Sequence, residues 1–537
     1  MKETDGKPRS VSVSRLRVLL TRTRLVGAIA VLLMLATGIG WSLASPIGGS
    51  PDDDYHLGSI WCPRPVESSG CHTIVIDGVV NVLVPGVMAG HPCYAFRPFD
   101  SASCSTSKPK EAYSFRYDDG NYPKGYYRFH HLLAGDHVTR SVVLMRFVNV
   151  LIAVTLLSAI GILAPPEQRS RYVVAIGMAW IPMGVYFVAS NNPSSWALTG
   201  VLGYAAGLFY SLRTSGKRQW VLLGLGVVGA VLACTSRGDS AFYLSAVSVA
   251  VFVGVRWRRS ILPHAAVAAV VSVIGVVVML GTQQAGHAVE GSGESSPLNA
   301  TRLYTIFLSL PQFLAGFYGR RWGPGWFDVP LNGVVTITAL LLVGVVLFLG
   351  ARAFCWRRVV SALILFGTIA GMAVLFAILN GLSNFYTTIQ PRYMLPLLAV
   401  FYLVWIYDKD GTPLMTRMQA VMVIMTSALT NSMALHMVLL RYTHGVPDAD
   451  KATFNLDHAG TWWWGPSVSP MTMWAAVSLA YLLGALLLAQ VVRPGAGPGK
   501  DLPPGGREAD PLGSDAASAN PTPVALTANY QDRKSVV

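Results

Sequence analysis

Charge is what this sequence has least of. Only 13% of its 537 residues are Asp, Glu, Lys or Arg, about half of the roughly 25% found in an ordinary soluble domain, while 52% are hydrophobic. That scarcity excludes a soluble globular protein, a disordered regulator and a fibrous protein. Acidic charge is the scarcer kind, with 27 Asp and Glu against 41 Lys and Arg, a net charge of +14. In a soluble chain such an excess would suggest nucleic acid. In a membrane protein it reads as cytoplasmic anchoring charge, with no nucleic-acid partner. Also missing are a Walker A loop, an H-E-x-x-H metal motif and the kinase signatures, so an ATP-driven pump built from this chain alone is not expected.

What the sequence has instead is long apolar runs, several of them reaching the roughly 20 residues that a spanning helix needs. They lie at about 25–44, 141–163, 172–190, 196–212, 219–235, 241–255, 261–282, 331–351, 359–380, 393–407, 418–440 and 471–491. The reading is an all-α integral membrane protein with about twelve transmembrane helices in the plasma membrane. Lys2, Lys7, Arg9, Arg15, Arg17, Arg22 and Arg24 precede the first run and place the N-terminus in the cytoplasm. Ser42-Leu43-Ala44 resembles a signal-peptide cleavage site, but the run is long for one. On the twelve-span map the short inner loops hold Arg169, Arg171, Arg213, Lys217, Arg218, Arg256, Arg258, Arg259, Arg352, Arg357, Arg358, Lys409 and Arg417, and the short outer loops hold only Arg237 and Arg392. Both termini are then cytoplasmic.

The organisation expected is a basic segment over 1–24, a membrane domain over 25–491 and a disordered tail over 492–537, rich in Pro, Gly, Ala and Ser. Within the membrane domain, 45–140, 283–330 and 441–470 form long outer segments. The stretch 306–317 is too short to span and reads as a re-entrant or interfacial helix. Trp462, Trp463 and Trp464 stand in the third outer segment.

Four of the six cysteines, Cys62, Cys71, Cys93 and Cys104, share the first outer segment. Four thiols in one external loop suggest two disulfides in an oxidising space. Three pairings are open, of which Cys62–Cys71 with Cys93–Cys104 is the simplest. A zinc site is the rival, although no tight C-x-x-C pair is present. Cys234 and Cys355 read as unpaired thiols. In the same segment Thr73 to Val82 reads as a β-hairpin turning at Asp77-Gly78, where both positions tolerate positive φ.

Two short motifs could carry chemistry. Pro51-Asp52-Asp53-Asp54-Tyr55-His56 lies just outside the first span. Three adjacent carboxylates repel one another unless a cation, a proton or solvent relieves them, so the choice is between a solvated acidic loop and a general base, with or without a divalent metal on Asp52 and Asp53. His56 would share a face with Asp52 or Asp53 if a helix starts here. Gln390-Pro391-Arg392-Tyr393 opens the tenth span, where Arg392 could fork onto a phosphate or snorkel to lipid head groups. Arg146 lies inside the second span and is functional or structural. Gly224-x-Gly226-x-x-Gly229 matches a dinucleotide fingerprint but sits within an apolar run, where small residues serve helix packing. Asn191-Asn192-Pro193 and Ser236-Arg237-Gly238-Asp239 read as turns. Trp322 and Trp326 are sugar-stacking or interfacial aromatics, and His436 reads as a packing residue.

Taken together, the P-D-[DE]-x-x-H pattern at Pro51–His56 and the Q-x-R-Y-x-x-P pattern at Gln390–Pro396 resemble the actinobacterial membrane family known as domain of unknown function 2142. That family is similar in turn to the GT-C glycosyltransferases, which use polyprenyl-phosphate sugars on the outer membrane face. The resemblance implies a GT-C-like fold and a sugar transfer to an envelope glycan acceptor. It makes Asp52, then Asp53, the catalytic base or metal contact. Substrate binding would fall to Arg392, Gln390, Tyr393, Arg146 and His56. Arg392, with Arg146, would neutralise the leaving phosphate from several ångströms across the sugar, not in contact with Asp52. The chain departs from the pattern with Asp53 where glutamate is more usual, with a third carboxylate at Asp54, and with a turn at Ser236–Ser240 that is not proline-rich. A transporter of lipid-linked saccharides and a non-catalytic scaffold for envelope assembly are the alternatives from other classes.

Overall fold

A computed structural model describes residues 13–107, 109–284, 298–352, 354–388, 390–446, 453–458, 462–463 and 468–492. The expected tail, Trp464 and much of 283–297 and 447–467 lie outside the described residues. Sixteen helices follow in chain order among those described: α1 (Val13–Leu43), α2 (Asp53–Trp61), α3 (Lys124–His131), α4 (Val138–Leu163), α5 (Arg169–Trp180), α6 (Met183–Val188), α7 (Ser194–Ser211), α8 (Lys217–Ser236), α9 (Gly238–Val253), α10 (Leu262–Leu280), α11 (Ala300–Ala315), α12 (Gly333–Gly350), α13 (Trp356–Thr388), α14 (Leu395–Trp405), α15 (Arg417–Thr443) and α16 (Pro470–Val492).

Eight of the described helices are long and apolar enough to cross a membrane, not twelve. They are the counterparts of the expected runs at 25–44, 141–163, 219–235, 261–282, 331–351, 359–380, 418–440 and 471–491. Four expected spans take other forms. The run at 172–190 is cut at Ile181-Pro182 into α5 and α6, because proline has no N–H to give the ladder and its ring clashes with the preceding turn. The runs at 241–255 and 393–407 fold as the shorter apolar helices α9 and α14. The run at 196–212 is α7, in which every residue is buried. Its sequence is rich in small residues because neighbouring helices touch its backbone. A Cβ on Gly229 of α8 would lie 2.4 Å from the Tyr204 nitrogen, and one on Gly207 would lie 2.6 Å from Gly226. Gly226 and Gly229 of the dinucleotide-like pattern are thus packing residues.

Between α1 and α4 the chain builds a small lobe. Strands β1 (Thr73–Ile76), β2 (Val79–Pro85) and β3 (Glu111–Ser114) form an antiparallel sheet in that order. Ile76 pairs with Val79 around Asp77 (φ 50) and Gly78 (φ 80), the two positive-φ positions of a tight hairpin turn. Disulfides join Cys62 to Cys71 and Cys93 to Cys104, while Cys234 and Cys355 are free. Helix α11 has a buried stripe of Ile306, Ser309 and Phe313, yet its other face carries exposed Leu303, Tyr304, Phe307 and Leu308. An amphipathic helix whose outer face is also apolar suits contact with lipid.

Candidate functional site

The segment between α1 and α2 runs from Ser45 to Asp52, and almost every carbonyl along it is held by a different part of the chain. Arg146 donates to the carbonyls of Ser42, Ser45 and Pro46. The Tyr94 hydroxyl donates to Ile47, the Trp326 indole to Gly48, the Tyr186 and Tyr442 hydroxyls both to Gly49, and the Asn192 amide to Pro51. Buried carbonyls must find donors, and here α4, α6, α15 and three loops supply them. The segment is therefore fixed from all sides, and it delivers Asp52 in a left-handed conformation (φ 59) at the N-terminus of α2. Such a conformation costs free energy in a residue other than glycine and persists only where its surroundings over-determine it.

This geometry settles how three neighbouring carboxylates coexist. Each turns to a different arginine. Asp52 accepts from Arg392 at 3.0 Å and lies 3.6 Å from Arg116. Asp53 is wholly buried and faces Arg146 at 3.4 Å and the Ser50 N–H at 3.3 Å. Asp54, also buried, takes the fork of Arg116 at 2.8 and 3.1 Å and the His91 ring at 3.1 Å. A solvated acidic loop is ruled out. The side chain of Asp52 is 40% exposed and alone among the three faces outward.

Their protonation follows. Burial alone would raise the Asp52 carboxyl, but the charge of Arg392 foremost, with Arg116, opposes it, and the group ends below its ordinary value. Burial dominates at Asp53, over Arg146 and the Ser50 N–H, and pushes it up to about 6. Asp53 is wholly buried and turned toward Arg146 and the Ser50 N–H, so of the two carboxylates expected to act it is Asp52 that faces the opening. The two carboxylates do not suit a shared divalent ion: they diverge onto separate arginines, and no group of three or more His, Cys, Asp or Glu among the described residues is placed to hold a metal.

His56 sits one helical turn after Asp52, buried, with Nδ1 2.9 Å from the Tyr127 hydroxyl and Nε2 without a hydrogen-bond partner among the described residues. Burial pushes its pKa down to about 3, so the ring is neutral.

Arg392 comes from a short turn before α14, 340 residues from its partner Asp52. The expectation of a gap between them is corrected: they pair directly, the buried guanidinium of Arg392 meeting a carboxylate that still reaches solvent. Beyond that bond, Nε and Nη1 of Arg392 are buried with no hydrogen-bond partner among the described residues, as is Oε1 of Gln390. Beside them lies a cavity of about 10 Å³, enough for one water, lined also by Met183, Phe317, Trp322 and Phe327. Arg146 does not join Arg392. It is a buried clamp on the Ser42–Pro46 backbone, which corrects its expected place beside the phosphate.

Sequence reasoning missed several members of the site. Arg116 bridges Asp52 and Asp54, and is brought close because a Cβ on Gly58 would meet the Arg116 carbonyl at 2.7 Å. Arg237 is forked onto Asp239 at 2.9 and 2.6 Å and lies 5.5 Å from the Tyr122 ring and 5.0 Å from the Tyr393 ring. Asn192 and Arg237 belong to segments read as mere turns. Trp322 and Trp326 are buried, neither interfacial nor free to stack on a sugar. His436 packs, as expected, against Phe454 and Trp474.

A polytopic helical bundle with a buried cluster of arginine–carboxylate pairs at its disulfide-bearing end defines a membrane protein with a polar site held at one mouth. The family described as "Predicted membrane protein (DUF2142)" matches residues 33–401, more than half of the chain and a span that contains both Asp52 and Arg392. The chain belongs to that family. No curated protein matches it.

Proposed function

We propose that this protein is a membrane glycosyltransferase of GT-C type that moves a sugar from a polyprenyl-phosphate donor to a cell-envelope acceptor on the outer face. The observation that carries the reading is the meeting of Asp52 and Arg392 at 3.0 Å across 340 residues of sequence, with two guanidinium nitrogens of Arg392 lacking a hydrogen-bond partner among the described residues. Such nitrogens suit a phosphate, which can accept more bonds than Asp52 supplies. The orientation rests on the disulfides, which need an oxidising space, and on the arginines gathered at the other end of the bundle. An apolar groove of about 400 Å³ between α11 and α13, lined by Leu303, Tyr304, Ile306, Phe307 and Val374, suits a lipid chain.

The pair also supplies a sequence of events. Donor phosphate competes for Arg392 and draws it from Asp52. Asp52 then loses its strongest stabilising charge and becomes a stronger base. It takes the proton of the acceptor hydroxyl. That oxygen attacks the anomeric carbon, the carbon–oxygen bond to phosphate breaks, and polyprenyl phosphate leaves with the electron pair, its charge held by Arg392. Gln390 and Tyr393 flank the same phosphate, and His56 contributes a neutral nitrogen beneath it. Arg146 and Asp53 are positioning residues under this reading.

One observation favours the scaffold alternative: the cavity at Arg392 has no room for a sugar while the pair is closed. The test separates the two. Asp52→Asn keeps shape but not basicity, and transfer should fall by roughly 10²–10⁴-fold. In a deletion strain complemented with this variant, envelope glycan composition should match the deletion. A wild-type composition, with the variant shown to be folded and inserted, would sink the enzyme reading.

A further inference from the structure

Beside the Asp52 recess stands an aromatic ring that the fold holds out into the open. Phe96 is 59% exposed and adopts φ 60, a left-handed conformation that costs free energy in phenylalanine. The backbone around it allows no escape. The carbonyls of Tyr94 and Arg97, on either side of it, both accept from the buried guanidinium of Arg441, and the Cys93–Cys104 disulfide closes the loop. The ring is backed edge-on by Trp326 at 5.3 Å and by His91 at 6.1 Å. Trp326 in turn is fixed through its indole to Gly48, four residues before Asp52. Phe327, which follows Trp326 and lines the Arg392 cavity, is also left-handed (φ 61).

From Phe96 a line of polar contacts leads inward. The His91 side chain is 48% exposed and bonds Asp54, Asp54 takes the fork of Arg116, and Arg116 reaches Asp52. An acyl chain would be badly served by this strip, since it would press hydrocarbon against an imidazole and an arginine. A sugar ring has the matching chemistry: an apolar C–H face for the phenyl ring and a rim of hydroxyls for His91 and Arg116. We propose that Phe96, with His91 and Arg116, forms a saccharide-binding subsite that seats the acceptor glycan next to Asp52. The subsite deepens the transferase reading and rests on it for the identity of its occupant as acceptor. Binding of saccharide itself does not require transfer.

Saturation-transfer NMR on the purified full-length protein in nanodiscs tests this, with mannotetraose, galactotetraose and cellotetraose as probes. At least one should receive saturation at its ring C–H protons. Phe96→Gly relieves the backbone strain, so it should fold at least as well as wild type, and should weaken binding roughly tenfold. Phe96→Asn, a second residue that tolerates φ 60, should do the same, and Phe96→Trp should retain binding. The proposal is overturned if no probe receives saturation, or if the glycine and asparagine variants bind it unchanged. Binding that depends on Phe96, in a protein whose Asp52→Asn variant leaves envelope glycans intact, would keep the subsite and discard the transferase reading. Loss of transfer in Asp52→Asn without any probe binding would do the reverse.

Discussion

Two arginines at the same end of the bundle show two uses of one side chain. Arg441, in the last turn of α15, donates to the carbonyls of Tyr94, Arg97, Asp100 and Asp328 and to the Asp328 carboxylate. Every nitrogen has a partner. Arg392 is nearly as dehydrated and is faced by the rings of Phe187, Phe327 and Tyr393, yet among the described residues its Nε and Nη1 find no hydrogen-bond partner while Nη2 donates to Asp52. A buried guanidinium with all its bonds made holds structure together. One with bonds to spare in a recess is costly to the fold and suited to a ligand. The arginines at the opposite end extend the contrast. Arg352, Arg357 and Arg358 donate to the carbonyls of Pro413, Val255 and Tyr407 where helices and loops end, which closes the bundle and answers the excess of positive charge in the sequence.

The comparison breaks if the two arginines respond alike to removal. Arg441→Met leaves Asp328 buried without its partner and should cost about 3–5 kcal/mol, read as a large fall in thermal unfolding temperature. Arg392→Met should change that temperature little, because its partner Asp52 reaches solvent. Similar falls in both would show that Arg392 is also a structural clamp.

A smaller effect should follow from opening the loop that holds Arg441's acceptors. Replacing Cys93 and Cys104 together by alanine should destabilise the protein by roughly 2–5 kcal/mol. Limited proteolysis should then cut between residues 93 and 104. An uncut loop would mean that Arg441 alone suffices to hold it.

The smallest effect concerns pH and separates His56 from the carboxylates. In the folded protein His56 titrates near 3, against about 6.5 when unfolded. The unfolded chain therefore binds this proton first, and stability is lost as pH falls from 6.5 toward 3. Asp53 works the other way: its raised value means that stability is gained as pH falls through about 6. Between pH 7.5 and 5 the wild type should thus lose more stability than His56→Gln, and Asp53→Asn should lose more than the wild type. Equal slopes in all three would remove the burial argument.

Much of the fold is legible in the amino-acid sequence. Apolar runs locate the long helices, Asp77-Gly78 the hairpin, and the cysteines their loop. Asp52 and Arg392 stand out because charge is rare near a membrane and each lies in a specific motif. The rest depends on contacts between distant residues. Nothing local marks Arg116 as a neighbour of Asp52 or Arg237 as a neighbour of Tyr393, nor Tyr94, Tyr186, Trp326 and Tyr442 as donors to one eight-residue segment. Two departures from expectation do have local signals: Pro182 marks the break in an expected span, and Gly200, Gly203 and Gly207 mark α7 as packed against protein.

The central claim is that Asp52 and Arg392 are paired for chemistry and not merely for cohesion, and reversal of the pair tests it most directly. An Asp52→Arg, Arg392→Asp double variant restores the attraction but puts the base and the phosphate contact in each other's places. The account predicts an unfolding temperature near that of the wild type, together with the envelope glycan composition of the deletion strain. A double variant that restored the wild-type glycans would show that the pair only ties the chain together, and would contradict the account.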